Sequence, residues 1–375
     1  MTFALLLLAA AAADTLPPPD DAALYAQLLE RVVAVYDSTT GGFVAPKSGE
    51  PMESAVALGL KLGKGDRADA WTRASLVTMT WTRSLFDTVG GGYLRSSRSA
   101  TLESAHFDKP TDANLMRLEN HLLAWRLMND ATERKWAGRV VDFTERILLD
   151  GRGGFVTAQV GDREPQPRAN GIAIHAWLEW AVATGDVRYR DFALRSLDRV
   201  WAFCRDEKLG ALVRKGTFGD LLSPPRLDDQ CEMGRAHILA AQVAGRAIDR
   251  TQAKALGELV LQYFEDGEKR GFRTQAVVSK DGKVKKSDRD FDMNARAALF
   301  LCELTTLTGD TRYQDAARRS WRVFAEDFAE ARLDAADWAL ALRAALEPEA
   351  PAAPEWQVAE KQTAPKRSFR FKTRR

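Results

Sequence analysis

Cysteine and histidine are scarce in this chain, with three of the one and four of the other in 375 residues. Cys204, Cys231 and Cys302 are far apart, odd in number and never in a C-x-x-C pair. That spacing excludes a thioredoxin-type redox site and a zinc knuckle, and a buried free thiol is the ordinary state of such residues. No P-loop, dinucleotide fingerprint, H-E-x-x-H or nucleophile elbow occurs, so no cofactor and no metal are expected. Charge of one sign is missing as well. Fifty-four Lys and Arg face 52 Asp and Glu, interleaved to a net +2, which argues against a nucleic-acid partner. The exception is 361–375, with seven positive charges and no acid, which reads as a solvated tail or a binding arm. Long apolar runs are absent too. The N-terminal one, Ala4–Ala13, is too short to span a bilayer, although no Lys or Arg precedes it. It fits a signal-peptide core cleaved near Ala13. The expected destination is periplasmic or secreted, with a membrane tether through an uncleaved segment as the alternative.

Apolar surface is plentiful: 45% of residues are hydrophobic and ten are tryptophan, enough for a large core. Apolar spacing and caps predict twelve helices, at about 22–37, 52–63, 67–88, 111–129, 132–148, 169–184, 187–206, 228–246, 250–266, 291–308, 311–330 and 333–347. Strand-like stretches are short and confined to connections such as "GGFVTAQV" and "RGFRTQAVV". Even-to-odd joins are very short and often Gly-Asp, as in "ATGDVRY" and "LTGDTRY". Odd-to-even joins are long and open on a Gly-aromatic or related signal: "GGFVAPK", "GGGYLRSS", "RGGFVTAQ", "LGALVRKG", "RGFRTQAV". The alternation marks a helix-pair repeat. An amide recurs in it at Asn114, Asn170, Gln230 and Asn294, at intervals of 56, 60 and 64 residues. Two places earlier stand Asp112, Arg168, Asp228 and Asp292. Six helix pairs suggest an all-α (α/α)6 toroid over 22–347, preceded by a linker at 14–21 and followed by a Pro/Ala-rich linker and basic tail at 348–375. An open solenoid would need polar capping helices, and the last helix, "DAADWALALRAAL", is not obviously one. In a closed ring the even helices form the inner wall. The long loops and inner-helix N-termini then share one end, where a cleft is expected and where helix N-termini favour anionic or oxygen-rich ligands.

The segments "GGFVAPK" (41–47), "FDTVGGGYLRSS" (86–97), "HFDK" (106–109) with Asn114, and "LDD" (227–229) resemble the helical domain of thioredoxin-fused six-hairpin proteins. These are the bacterial and spermatogenesis-associated relatives of the N-acylglucosamine 2-epimerase superfamily. The resemblance covers most of 22–345 and implies a six-hairpin, glycosidase-like toroid. A signal-like segment stands where that family carries its thioredoxin-like domain. Ala105 replaces the family's proline, Asp108 its glutamate, and Pro110-Thr111-Asp112-Ala113 its Met-Leu-Tyr-Asp. The resemblance carries a family histidine to His106 and the adjoining acid to Asp108.

Four residues are candidates for acid–base chemistry. His106 and Asp108 lie together on a loop entering an inner helix; the competing reading of His106 is packing between loop and helix. Asp112, Asp228 and Asp292 stand where N-caps are expected, whereas Asp229 follows a cap and is read as pointing into the cleft. Asp228 and Asp229 are therefore the first choice for a carboxylate pair. His237 lies on an inner helix, as the proton-transferring histidines of sugar 2-epimerases do, with core packing the competing reading. His175, between Ile174 and Trp177, reads as packed core. Lys47, Arg95, Lys109, Asn114, Arg117, His121 and Asp228 are the candidate substrate contacts; His121 shares a helix face with Asn114 and Arg117. The amides suit sugar hydroxyls, but a group repeated in every unit reads first as structural, tying helices to loop carbonyls. The expected protein is carbohydrate-active, an epimerase or isomerase or a glycoside hydrolase, with a sugar or oligosaccharide ligand. The alternative is a non-catalytic binding or interaction scaffold.

Overall fold

The computed structural model describes residues 20–39, 41–45, 47–97, 105–160, 163–216, 221, 223–267, 271–278 and 287–349. The signal-like segment, most of the 14–21 linker and nearly all of the basic tail lie outside the described residues. The described residues form twelve α-helices: α1 (Asp21–Ala34), α2 (Glu53–Leu62), α3 (Ala70–Thr82), α4 (Thr111–Met128), α5 (Ala131–Phe143), α6 (Pro167–Thr184), α7 (Val187–Cys204), α8 (Leu227–Ala244), α9 (Ala247–Leu259), α10 (Phe291–Thr308), α11 (Thr311–Val323) and α12 (Ala335–Leu346). The helices predicted at 132–148 and 250–266 each finish in a π-helical turn, at Thr144–Leu148 and Val260–Phe264. None of the described helices is long and apolar enough to cross a membrane.

The even helices pack side by side in the order α2, α4, α6, α8, α10, α12 and back to α2; α3, α5, α7, α9 and α11 each pack against the even helix before them, and α1 packs against α12. The ring is closed by contacts nearly 300 residues apart. Trp321 Nε1 and Arg318 Nε donate to Asp21 at 3.0 and 2.8 Å, and Ser54 Oγ donates to Asp337 at 3.2 Å. The short joins follow from their sequence. Gly185 and Gly309 take left-handed φ values of 71° and 77° to end the inner helices, and the next residues, Asp186 and Asp310, accept from backbone N–H groups of the outer helices as N-caps. Gly171 marks a close approach of two inner helices: a Cβ there would lie 2.5 Å from the Glu232 backbone.

The five long loops share one device. Each opens with a short antiparallel turn, bridging Asp37 to Gly42, Phe86 to Tyr93, Leu149 to Phe155, Arg205 to Leu212 and Glu265 to Phe272. No longer strand ladder forms among the described residues. The repeated amide grips the far side of that turn. Asn114 accepts from Tyr93 N at 2.7 Å and donates to Tyr93 O and Pro110 O. Asn170 does the same with Phe155 and Gln166, Gln230 with Leu212 and Arg226, and Asn294 with Phe272 and Asp290. All four are fully buried, so the recurring amide is a loop lock. Asp112, Asp228 and Asp292 are not caps. The N-cap positions are Pro110, Arg226 and Asp290, and these three acids sit one residue into the first helical turn, where the helix dipole favours a carboxylate. The three cysteines are buried and free. Burial pushes the thiol of Cys204 up to about 12 and that of Cys231 well above its ordinary value, the reverse of helix-start activation.

Candidate functional site

Counting each inner helix from its amide sorts its side chains by direction. Two residues before the amide, Arg168 bonds Asp112 at 2.5 Å and approaches Asp228 at 3.8 Å. Arg226 and Arg214 add further ion pairs to Asp228 and Asp229. At the long-loop end, therefore, Asp112, Asp228 and Asp229 are held by arginines. Asp229 is fully buried: Arg214 binds it through Nε at 2.8 Å and Nη2 at 3.0 Å, and Arg168 N donates to it at 3.0 Å. It points into this ion-pair layer rather than into open space.

Offsets of five and nine residues after the amide face the lumen, as does offset two at Met116, Glu232 and Arg296. They line a cavity of 640 Å³ that opens at the C-terminal ends of all six inner helices and reaches back to the first turns of α2 and α12, at Glu53, Ser54 and Asp337. The open space thus lies at the opposite end of the ring from the one anticipated, because ion pairs and loops occupy the other. Five residues after the amides stand Glu119, His175, Arg235 and Leu299, all in the cavity wall. His175 Nδ1 bonds Glu119 Oε1 at 2.6 Å, and Nε2 has no partner among the described residues. Burial disfavours the imidazolium, but Glu119 outweighs it and raises the His175 pKa. Arg235 binds Glu303 through two nitrogens, at 2.9 and 3.1 Å, and lies 3.5 Å from Glu232. Arg296 holds the other Glu232 oxygen at 2.8 Å. No aromatic side chain lines the cavity among the described residues.

Offset seven faces the other way, into the seam between the rings. His121 and His237 both occupy it, and each binds an acid twelve residues on: Glu133 at 2.7 Å and Asp249 at 3.0 Å. In the third repeat the same two positions hold Trp177 and Tyr189, whose rings stack edge to face. His237 is fully buried, Trp201 lies edge-on against it, and burial lowers its pKa. His121 Nε2 bonds the Tyr93 hydroxyl at 2.9 Å. Both histidines are inter-ring packing, with no face on the lumen.

The loop candidates hold the loops. Lys109 is buried and donates to Asp87 at 2.6 Å and Gly91 O at 2.8 Å. Arg117 is buried and donates to Glu53, Leu94 O and Arg95 O. Arg95 pairs with Asp108 on the loop surface at 2.5 Å. His106 is exposed beside that pair, its N–H donating to Ser96 O at 2.9 Å, and Lys47 is exposed on the first long loop. None of these residues lines the cavity. His175 and its neighbours were missed because apolar residues flank it in sequence. The signal that finds them is the offset from the repeated amide, which separates lumen from seam.

The Lys109 anchor has a pH signature. Its hydrogen bond, with those from the Gly90 and Val89 N–H groups, holds the Asp87 carboxyl at about 2 against partial burial. A depressed folded pKa contributes stability above the ordinary value of 3.8 that is lost as the pH falls towards 2. Lys109→Met is therefore expected to be less stable than wild type at neutral pH, with the gap closing as the pH falls through that window. Urea midpoints measured across the window check it; a gap independent of pH would refute the linkage.

No protein-family model matches the chain, and no curated protein matches it. Solved structures do match in fold. A D-mannose isomerase superposes with TM-score 0.69 at 14% identity, over 87% of this chain and 97% of its own. A cellobiose 2-epimerase from Bacillus thermoamylovorans gives 0.66 at 10% identity, over 79% and 85%. A family 76 glycoside hydrolase α-mannanase from Bacteroides thetaiotaomicron gives 0.67 at 11%, over 88% and 96%. The fold is thus the all-α (α/α)6 toroid shared by sugar epimerases and six-hairpin glycosidases.

Proposed function

We propose that this protein is an exported sugar isomerase that interconverts an aldose and a ketose in the ring lumen, with His175 as the base. The observation that carries the reading is the His175–Glu119 pair on the wall of the 640 Å³ cavity: of the four histidines, His175 alone lines it. Glu119 accepts the Nδ1 proton, which orients the ring and leaves Nε2 as the proton acceptor. In an open-chain aldose Nε2 takes the proton from C2 and returns it to C1, while the O2 proton passes to O1. The oxyanion of the enediol stage would lie near Arg235, fixed in place by Glu303. One base serving two adjacent carbons suits isomerisation. Inversion at C2 delivers a proton to the opposite face and calls for a second group there, and the cavity holds no second histidine. Hydrolysis calls for two facing carboxylates, one of them protonated; Asp228 and Asp229 are held by arginines instead. The neighbouring folds that carry out isomerisation and epimerisation support a sugar substrate. Export rests on the apolar segment at 4–13.

The test is incubation of the full chain with a panel of aldoses in D2O, followed by proton NMR. Ketose formation with deuterium entering at C1 or C2 is expected for at least one aldose. If no aldose is converted and no C2 proton exchanges, the isomerase reading fails.

A further inference from the structure

Resting on that reading, we infer that the substrate is an amino sugar whose protonated amine lies away from C1 and C2 and is bound by Asp337. Among the described residues, every other carboxylate in the cavity wall has a cationic or histidine partner. Glu53 is bound by Arg117, Glu119 by His175, Glu179 by Arg126, Glu232 by Arg235 and Arg296, and Glu303 by Arg235; the two glutamates at the far rim are bound by Lys61 and Arg343. Asp337, in the first turn of α12, has the Ser54 hydroxyl at 3.2 Å and the helix N-terminus but no cationic side chain bonded to it. The nearby guanidinium of Arg296 is turned to Glu232 at 2.8 Å. Among the described residues, the one wall cation without a partner, Lys64, is exposed at the rim, where water solvates it.

A half-buried carboxylate without a bonded counter-charge is costly, and a ligand ammonium removes that cost through charge-assisted hydrogen bonds. Sugar hydroxyls cannot supply the missing charge. With no aromatic face among the described wall residues to stack against a neutral pyranose, selectivity falls to charge and hydrogen bonding. The placement agrees with the chemistry. Asp337 is on α12 and His175 on α6, three steps apart in a ring of six and so on opposite walls. A sugar with its reacting carbons at His175 directs its far end towards Asp337.

Calorimetric titration of the full chain with 6-amino-6-deoxy-D-glucose, 3-amino-3-deoxy-D-glucose, their N-acetyl derivatives, D-glucose and D-mannose tests this. At least one free amine is expected to bind tenfold or more tighter than the neutral sugars, and acetylation, which removes the charge, is expected to abolish the preference. Asp337→Asn should bring amino and neutral sugars to equal affinity. Equal binding of amino and neutral sugars by wild type overturns the inference and leaves the isomerase reading standing; so does a preference that survives in Asp337→Asn. Absence of binding by every sugar overturns both. The acetylation arm needs no variant, so a misfolded Asp337→Asn does not blunt the test.

Discussion

His175→Asn is expected to lower the isomerase rate by about 10²–10⁴-fold, the range typical for loss of a general base, while leaving sugar affinity nearly unchanged. Asparagine preserves a donor towards Glu119 at 2.6 Å but offers no basic nitrogen to the lumen. The pH profile carries a second mark. Only neutral imidazole accepts a proton, so the rate rises with pH through the folded pKa of His175, which Glu119 lifts above the ordinary 6.5 against the opposing effect of burial. The acid limb of kcat/KM is therefore expected above 6.5, and Glu119→Gln should move it to lower pH. A raised folded pKa also means that the pair contributes its full stability below 6.5 and loses it as the pH rises through the folded value. An acid limb that stays in place in Glu119→Gln would separate the two residues functionally.

Asn170→Ala should be among the most destabilising substitutions in the protein. The side chain accepts from Phe155 N at 2.9 Å and donates to Phe155 O and Gln166 O at 2.9 and 3.1 Å, in a fully buried position. Alanine leaves a buried N–H and two carbonyls to find other partners, at about 1–3 kcal/mol for each group left unsatisfied. A loss of about 3–5 kcal/mol is expected in urea unfolding, after partial relaxation. The loop behind α5 should also become the first site of proteolysis, because its turn is tied to α6 at this point. A loss below about 1 kcal/mol would show that the loop lock lies elsewhere.

The residues that made the fold legible are those that repeat. Gly-Asp joins, Gly-aromatic loop openings and the amide at 114, 170, 230 and 294 depend on local geometry, a left-handed turn, a cap and a backbone lock, so each leaves its mark within a few residues of sequence. They were enough to give twelve helices, the inner and outer assignment and a closed ring. Direction was harder to read. His121, His175 and His237 all lie on inner helices, yet two face the seam and one the lumen. A difference of two residues in offset turns a helical side chain about 200° around the axis, and composition does not register that rotation. The end of the ring that stays open was also beyond the sequence. It depends on Arg168, Arg214 and Arg226, brought from separate loops and helices onto Asp112, Asp228 and Asp229. Arg226 and Arg214 are near neighbours of their partners in the chain, but Arg168 meets Asp112 across 56 residues, and the lumen pairs His175–Glu119, Arg235–Glu303 and Arg296–Glu232 likewise join separate inner helices. Local chemistry, in short, lies in the sequence because its partners are neighbours in the chain; the site does not, because its partners meet only across the ring.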